Sequence, residues 1–200
     1  MRRHVAIAVI VCGLVGSACS RNDGRTMRPP AGDQSGTIAQ DTTTVAGEFV
    51  SPGDDVPMTV TGPWIESGSI EAKHTCAGAN VSPPLFWSAI PAEAVTLALV
   101  LVDEDNPSFD HWVVANIPAD SRGIAAGETV LTAVSALNSS GFEGYAGPCP
   151  PRGTSHIYTL TLYAVSQQLE VLPGDPADLM TEAITAAAID AVSTSFTFSR

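Results

Sequence analysis

The chain has 200 residues, with 21 acidic and nine basic side chains and a net charge of −12 when histidines are neutral. From Ala46 onward, 18 acidic residues accompany only four basic ones, a net charge of −14. This balance excludes nucleic-acid binding, which depends on Lys and Arg side chains that neutralise phosphates. The roughly 155 residues from Ala46 suffice for one domain with a hydrophobic core.

The N-terminal residues have the order of a secretory signal. Arg2 and Arg3 form a basic start, Val5 to Val15 is almost entirely apolar, and small residues precede Cys19. The apolar run is shorter than the ~20 residues of a membrane span, so the sequence predicts a signal peptide over 1–18. Small residues before a cysteine resemble the cleavage box of bacterial lipoproteins, which makes Cys19 the expected lipidated N-terminus. Plain secretion, with Cys19 as an incidental small residue, is the alternative.

A polar segment follows Cys19. Residues 19–45 are rich in Ser, Thr, Gly, Asp and Pro and show no apolar periodicity. Such a composition buries too little surface to fold, so we expect a flexible tether with a reach of about 25–30 Å. The folded domain is predicted over 46–200, attached by the lipid to the extracytoplasmic side of the cell membrane.

Most of this domain is predicted to form β-strands. Alternating or continuous apolar runs rich in β-branched and aromatic residues are typical of half-buried and fully buried strands, respectively. The stretch from Glu128 to Leu137 favours irregular structure with some strand. The predicted strands are Met58–Thr61, Val95–Val102, Trp112–Ile117, Ile157–Val165 and Ser193–Ser199.

One helix is predicted near the end of the chain. Asp175-Pro176 has the order of a helix start, and the pattern continues to about Ala191. Its expected apolar face consists of Leu179, Ala183, Ala186 or Ala187, and Val192. The predicted fold class is therefore mainly β, with two packed antiparallel sheets in Greek-key order and a C-terminal helix.

Two loops carry chemistry. In the first, Asp103 and Asp105 follow a buried strand, Pro107 fixes the turn, and His111 begins the next strand. Because strands joined by a short loop often pair, we expect Asp103 to contact His111 and to favour its protonated form. The alternative is that the carboxylates only cap the loop while His111 is a core residue.

The second loop is shaped by glycine and proline. Gly147 and Gly153 allow close backbone approach, and we expect loop amides to point into an anion-binding concavity that Pro150 helps to stiffen. His156 and Tyr158 share one face of the following strand because they are two residues apart. A proline-rich turn with aromatic packing is the alternative.

Two cysteines remain in the domain. Cys76 and Cys149 form an even pair in an oxidising compartment, so a disulfide between them is expected, with two buried free thiols as the alternative. A bond across this separation would stabilise the fold by roughly 4 kcal/mol in the chain-entropy model.

These motifs, in this order, resemble the phosphatidylethanolamine-binding protein family, and above all its bacterial branch of Raf kinase inhibitor-like proteins. The resemblance runs from about Thr59 to the C-terminus. It rests on the motifs of both loops and on three further stretches, Cys76-x-Gly78, Val81 to Trp87 and Asn116-Ile117-Pro118. This chain departs from the family at Glu104, where many members have proline, and in a shortened link before His111.

The resemblance implies a small cavity that accepts phosphate, acetate or a phospholipid head group, with no cofactor or metal. Carried over residue by residue, it would consist of Asp103, Asp105, Pro107, His111, Gly147, Pro150, His156 and Tyr158. We therefore expect a non-catalytic binding protein tethered to the membrane.

Two other functions remain open at this point. A protein-interaction module that inhibits a kinase or protease fits a tether, because some relatives have such roles. A hydrolase using an Asp–His pair as general base is less favoured. The chain has no G-x-S-x-G motif, and its His and Cys spacing matches no closed zinc site.

Overall fold

The computed structural model describes residues 56–200. The predicted signal peptide, Cys19, the tether and the start of the predicted domain lie outside the described residues. The described part contains two β-sheets, one α-helix and a short 3₁₀ helix, Ala72–His74. In chain order the other elements are β1 (Thr59–Thr61), β2 (Gly68–Ser69), β3 (Leu85–Ser88), β4 (Thr96–Asp103), β5 (Asp110–Pro118), β6 (Gly123–Ile124), β7 (Val134–Ser135), β8 (Ser155–Val165), α1 (Ala177–Ala187) and β9 (Ala188–Ser199).

The two sheets differ in size. The small sheet has the order β1-β3-β6, and the large sheet has the order β2-β9-β8-β4-β5-β7. The predicted mainly β architecture of two sheets is confirmed, with one difference: β2 runs parallel to β9. Glu66 explains this edge, because its carboxylate accepts hydrogen bonds from Thr194 and Ser195 and so aligns the chain just before β2 with β9.

The central strand β4 is buried on both faces, as its continuous apolar sequence predicts. Leu97, Leu99 and Leu101 face the core between the two sheets. Ala98 and Val100 face a second core that α1 covers. The alternation of side chains along a strand produces this division, and it also decides which residues reach the end of the inter-sheet core.

The helix is shorter than predicted. α1 ends at Ala187, and Ala188 already belongs to β9, where it pairs with Val165 of β8. Alanine-rich sequence favours helix, but here the hydrogen bonds to β8 prevail over local propensity. The predicted apolar face is wrong at Leu179, which is 58% exposed. The helix instead buries Ala177, Met180 and Ile184, with Ala183 and Ala187 partly covered.

Strand β5 contains two irregularities in its pairing with β4. One lies opposite Leu97 to Leu99, where Asn116 adopts a left-handed backbone conformation with φ of 58°. The Asn116 side chain exchanges two 2.9 Å hydrogen bonds with the main chain of Leu169, which attaches β5 to the segment before α1. In the part of the chain that the structure describes, no helix is both long and apolar enough to cross a bilayer.

Candidate functional site

The candidate site lies where the inter-sheet core meets the ends of β4 and β8. Asp103 continues the row of Leu97, Leu99 and Leu101 on β4. Tyr158 pairs directly with Asp103 in the sheet, and His156 lies two residues before it on the same face. The apolar rows of two neighbouring strands therefore end in a carboxylate, a phenol and an imidazole.

His111 reaches the same place through the second irregularity of β5. Trp112 pairs with Leu101, whereas Asp110 pairs with Val102, so His111 is an extra residue between them. A bulge of this kind re-aims a side chain. The His111 ring contacts Tyr158 edge-on, with ring centroids 5.3 Å apart. The structure thus brings His111 and His156 together, both close to Oδ2 of Asp103 and both beside the Tyr158 ring.

Asp103 is hydrogen-bonded to His156, not to His111. Its Oδ2 accepts a 2.8 Å hydrogen bond from Nδ1 of His156, whereas Nε2 of His111 lies 3.9 Å away. Asp103 and His111 therefore meet as expected, but they are not directly hydrogen-bonded. Oδ1 of Asp103 accepts the amides of Asp105 and Asn106, so this buried carboxylate also closes its own turn, as the capping alternative proposed.

His111 is fixed by the second loop. Its Nδ1 donates a 2.7 Å hydrogen bond to the Ala146 carbonyl, which assigns the hydrogen to Nδ1 and leaves Nε2 facing Asp103. Burial lowers the pKa of His111, despite the opposing effect of the Ala146 hydrogen bond and the Asp103 charge. The expectation that His111 is held in its protonated form is therefore wrong, because loss of hydration outweighs the nearby carboxylate.

Tyr158 supplies an unsatisfied donor. Its side chain is fully buried and stacks on Phe196. The hydroxyl lies close to the Asp103 carboxylate and the Cys149 amide but forms no well-aligned hydrogen bond within the described residues. Burial, followed by the negative charge of Asp103, raises its pKa, so the phenol keeps its proton. A buried hydroxyl without a partner costs about 1–3 kcal/mol, which a ligand oxygen would offset.

The two glycine amides of the second loop are committed to partners within the protein. Gly147 fits closely against the Asn80 side chain and the His74 carbonyl, and a Cβ there would lie within 2.5 Å of both. Its amide donates to Oδ1 of Asn80, and the amide of Gly153 donates to the Arg200 main-chain oxygen. Close approach is confirmed at Gly147, whereas Gly153 is needed for its φ of 83°. Neither amide is available to an anion.

The expected disulfide is present in the structure. Cys76 and Cys149 are bonded, with Cα atoms 5.4 Å apart, and both residues are exposed. The Cys76 amide also donates to the Pro148 carbonyl. The bond thus attaches the glycine- and proline-rich loop to the segment after the 3₁₀ helix.

Of the remaining predicted residues, Asp105 lies beside the site, whereas Pro107 lines a separate cleft. Asp105 is exposed, and its Oδ2 accepts the Ile157 amide, so it braces β8 from outside. Pro107 is exposed and lines a cleft with Asp110, Asn138, Pro176 and Asp178. Pro150 is buried in the second loop.

One group has the spacing of metal ligands within residues 56–200. Asp103, Asp105 and His156 offer ligand atoms within 4.8 Å of one another. Three of their ligand atoms already have partners: the Asp103–His156 hydrogen bond and the Ile157 amide on Asp105. Hydrogen bonding within the protein accounts for this cluster.

Sequence reasoning missed two positioning groups, Asn80 and Ala146. Asn80 adopts a φ of 55° and receives the Gly147 amide. Ala146 fixes the His111 tautomer through its carbonyl, a contact that no side-chain motif can reveal. Asparagine tolerates the left-handed backbone conformation, so a turn at Asn80, two residues after Gly78, could have been predicted from the sequence.

Comparisons with known sequences identify the family of this chain. The family model described as phosphatidylethanolamine-binding protein matches residues 61–199. LppC of Mycobacterium tuberculosis, a protein provisionally named a lipoprotein, is 41% identical over 150 residues, which cover 73% of this chain and 74% of LppC. A UPF0098 protein of Methanothermobacter thermautotrophicus is 43% identical over 126 residues, 60% of this chain and 83% of its own.

Solved structures show the same fold. E. coli YbcL, described as a member of the mammalian PEBP family, has a TM-score of 0.68 and 26% identity, covering 72% of this chain and 99% of its own. CT736 of Chlamydia trachomatis, described as a phosphatidylethanolamine-binding protein homologue, has a TM-score of 0.66 and 30% identity, covering 72% and 98%. The chain is a member of the phosphatidylethanolamine-binding protein family.

Proposed function

We propose that this chain is a non-catalytic binding protein whose ligand is a small phosphate oxyanion, free or within a head group. The site consists of Asp103, His111, His156 and Tyr158, which we call the His–Tyr cluster. The observation that carries the proposal is the buried Tyr158 hydroxyl, which has no well-aligned hydrogen-bond partner within the described residues. The two imidazoles of the cluster are held in place because their Nδ1 atoms are committed to Ala146 and Asp103.

The hydrogen-bonding character of the cluster suits a partly protonated phosphate. Tyr158 donates an O–H, whereas a neutral His111 with its hydrogen on Nδ1 offers Nε2 as an acceptor. A phosphate monoanion or dianion that keeps one P–OH can satisfy both groups at once. A fully ionised anion such as sulfate has no hydrogen for Nε2 and should bind less well.

We also propose that the site is attached to the extracytoplasmic side of the cell membrane through a lipid on Cys19. The support is the small-residue sequence before Cys19 together with the provisional naming of LppC as a lipoprotein. A tether would keep the His–Tyr cluster near lipid head groups and periplasmic or surface phosphates. The phosphate chemistry is common to both sources.

Replacement of Tyr158 by Phe tests the function with little disturbance of the core. Isothermal titration calorimetry with inorganic phosphate and with phosphoethanolamine should show at least about tenfold weaker binding, because a hydrogen bond to a charged group contributes about 1.5–3 kcal/mol. Tyr163→Phe is the matched control, since Tyr163 lies on β8 but packs against the second core. Equal affinity of wild type and Tyr158→Phe would rule out the proposed site. Hydrolysis of an aryl phosphate ester by the wild type would favour the hydrolase instead.

A further inference from the structure

The His–Tyr cluster carries little positive charge of its own. Two carboxylates lie beside Tyr158, because Asp103 pairs with it in the sheet and Asp105 accepts the amide of the preceding residue, Ile157. The pKa of His111 is lowered by burial, and Nδ1 of His156 is hydrogen-bonded to Asp103. A phosphate dianion in this place would meet two carboxylates, whose charges oppose its binding. The proposed ligand therefore requires a positive charge from outside the cluster.

Few residues can supply that charge. The described residues contain four basic side chains other than histidine, Lys73, Arg122, Arg152 and Arg200. Lys73 forms a 3.0 Å ion pair with Glu71. Arg122 lies between β5 and β6 and donates to the Ser121 carbonyl, while Arg152 is exposed in the second loop. Arg200 differs from these three residues because it follows the strand row that faces the cluster.

The alternation of β9 directs Arg200 to the cluster face of the sheet. Phe196 pairs with Tyr158, and Phe198 pairs with His156. Phe196 and Phe198 both point into the inter-sheet core, and Arg200 is the next residue of that row. The Arg200 amide donates to Thr154, and its main-chain oxygen accepts the Gly153 amide, so the backbone is held in register past the last strand residue.

The guanidinium group has only a weak partner there. Its Nη1 lies 3.4 Å from Sγ of Cys149, in the loop that follows Gly147. Sulfur is a poor acceptor, and a guanidinium has five N–H donors, so a phosphate oxygen would be a much stronger partner. Both Arg200 and Cys149 are exposed, and the His156 side chain is more exposed than that of His111, at 15% against 4%. Solvent therefore reaches His156 from this side, whereas the Tyr158 hydroxyl lies deeper and is buried.

We infer that Arg200 is the cationic contact of the His–Tyr cluster, binding the outer oxygens of a phosphate whose inner oxygens contact Tyr158 and His111. This inference rests on the proposed function and adds a ligand class to it. An arginine fork at the entrance favours a phosphate with two charged oxygens exposed, as in free phosphate or a monoester. A phosphodiester of an intact lipid head group carries one charge and gains less from it.

Arg200→Gln tests the inference, and Arg122→Gln removes the same charge at a distant loop. We expect phosphate affinity by isothermal titration calorimetry to fall about tenfold or more in Arg200→Gln, because charge-assisted hydrogen bonds are the strong ones. Arg122→Gln should stay within about twofold of wild type. Arg200→Lys should restore part of the affinity, since the charge returns without the fork. Glycerophosphoethanolamine, a diester, should lose less affinity than inorganic phosphate.

The results separate this inference from the proposed function. Wild-type affinity in Arg200→Gln, with binding still lost in Tyr158→Phe, would overturn the role of Arg200 and leave the site standing. Equal losses in Arg200→Gln and Arg122→Gln would also overturn it, because only the net charge would then matter. Absence of phosphate binding by the wild type would overturn both.

Discussion

Asp103 and His156 are joined by a 2.8 Å hydrogen bond although 53 residues separate them in the chain. Asp103 ends β4 and His156 stands near the start of β8, and these antiparallel neighbours bring the two together. The same carboxylate closes the turn after β4 through two amides. One buried group thus connects the turn, the sheet and the candidate site.

Asp103→Asn should destabilise the domain and change the site together. An asparagine can still accept the two turn amides, but its amino group would face the N–H of His156, leaving a buried donor without an acceptor. We expect the free energy of unfolding in urea to fall by about 1–3 kcal/mol. Asp105→Asn is the control, because Asp105 is exposed and accepts only the Ile157 amide. An equal loss in both variants would contradict the central role of Asp103.

The lowered pKa of His111 predicts a pH dependence of stability. Burial holds this pKa below its ordinary value of 6.5, so below that value the unfolded chain binds more protons than the folded one. The free energy of unfolding should therefore decrease as pH falls from neutrality through about 6.5 toward the folded pKa. Urea unfolding across this range should show a shallower decrease in His111→Asn, whose amide can still donate to Ala146. Identical pH profiles would show that another group is responsible.

Bound phosphate should raise the pKa of His111. The negative charge of the ligand favours the imidazolium, so His111 should take up its second proton at a higher pH when phosphate is bound. An NMR titration of the His111 ring, with and without phosphate, measures the shift directly. A pKa of His111 that does not move when phosphate binds would show that the ligand lies elsewhere.

The Cys76–Cys149 disulfide should contribute strongly to stability. It closes a separation of 73 residues, for which the chain-entropy model gives about 4 kcal/mol. Cys76→Ser combined with Cys149→Ser should lower the free energy of unfolding by up to that amount. Because both residues are exposed, dithiothreitol should break the disulfide in the folded wild type. The reduced protein should then have nearly the same free energy of unfolding as the double variant. Unchanged stability after confirmed loss of the bond would contradict this prediction.

Lipidation of Cys19 makes a separate prediction about location. The full chain expressed in a bacterium that processes lipoproteins should partition into the detergent phase of Triton X-114. Cys19→Ser should move it to the aqueous phase, because one cysteine is expected to carry the anchor. Cys12→Ser, within the predicted signal peptide, is the matched control. Detergent-phase partition of Cys19→Ser would exclude this anchor.

The sequence predicted the structure best in the core strands, where burial determines both the apolar pattern and the fold. The continuous apolar run of β4 and the alternation of β8 predicted two adjacent core strands, and both are present. The spacing of His156 and Tyr158 predicted that they share a face. The polar residues at the strand ends predicted the location of the cluster, because a row of buried apolar side chains ends where the strand reaches solvent.

Contacts set by register could not be obtained in the same way. The bulge in β5 turns the His111 side chain toward Tyr158. The long-range pairing of β4 with β8 brings Asp103 within hydrogen-bond distance of His156 rather than of His111. Likewise, the long-range pairing of β8 with β9 begins directly after Ala187 and so ends α1 there. The position of Arg200 on the cluster side of the sheet could not be predicted from the sequence, because it depends on the alternation and register of β9.

A crystal of the wild-type domain soaked in arsenate, a phosphate analogue with an anomalous signal, tests the central claim most directly. We predict one strong anomalous peak within hydrogen-bond distance of the Tyr158 hydroxyl and Nε2 of His111, which disappears in Tyr158→Phe. A peak elsewhere on the domain, or none at the His–Tyr cluster, would contradict the assignment of this site.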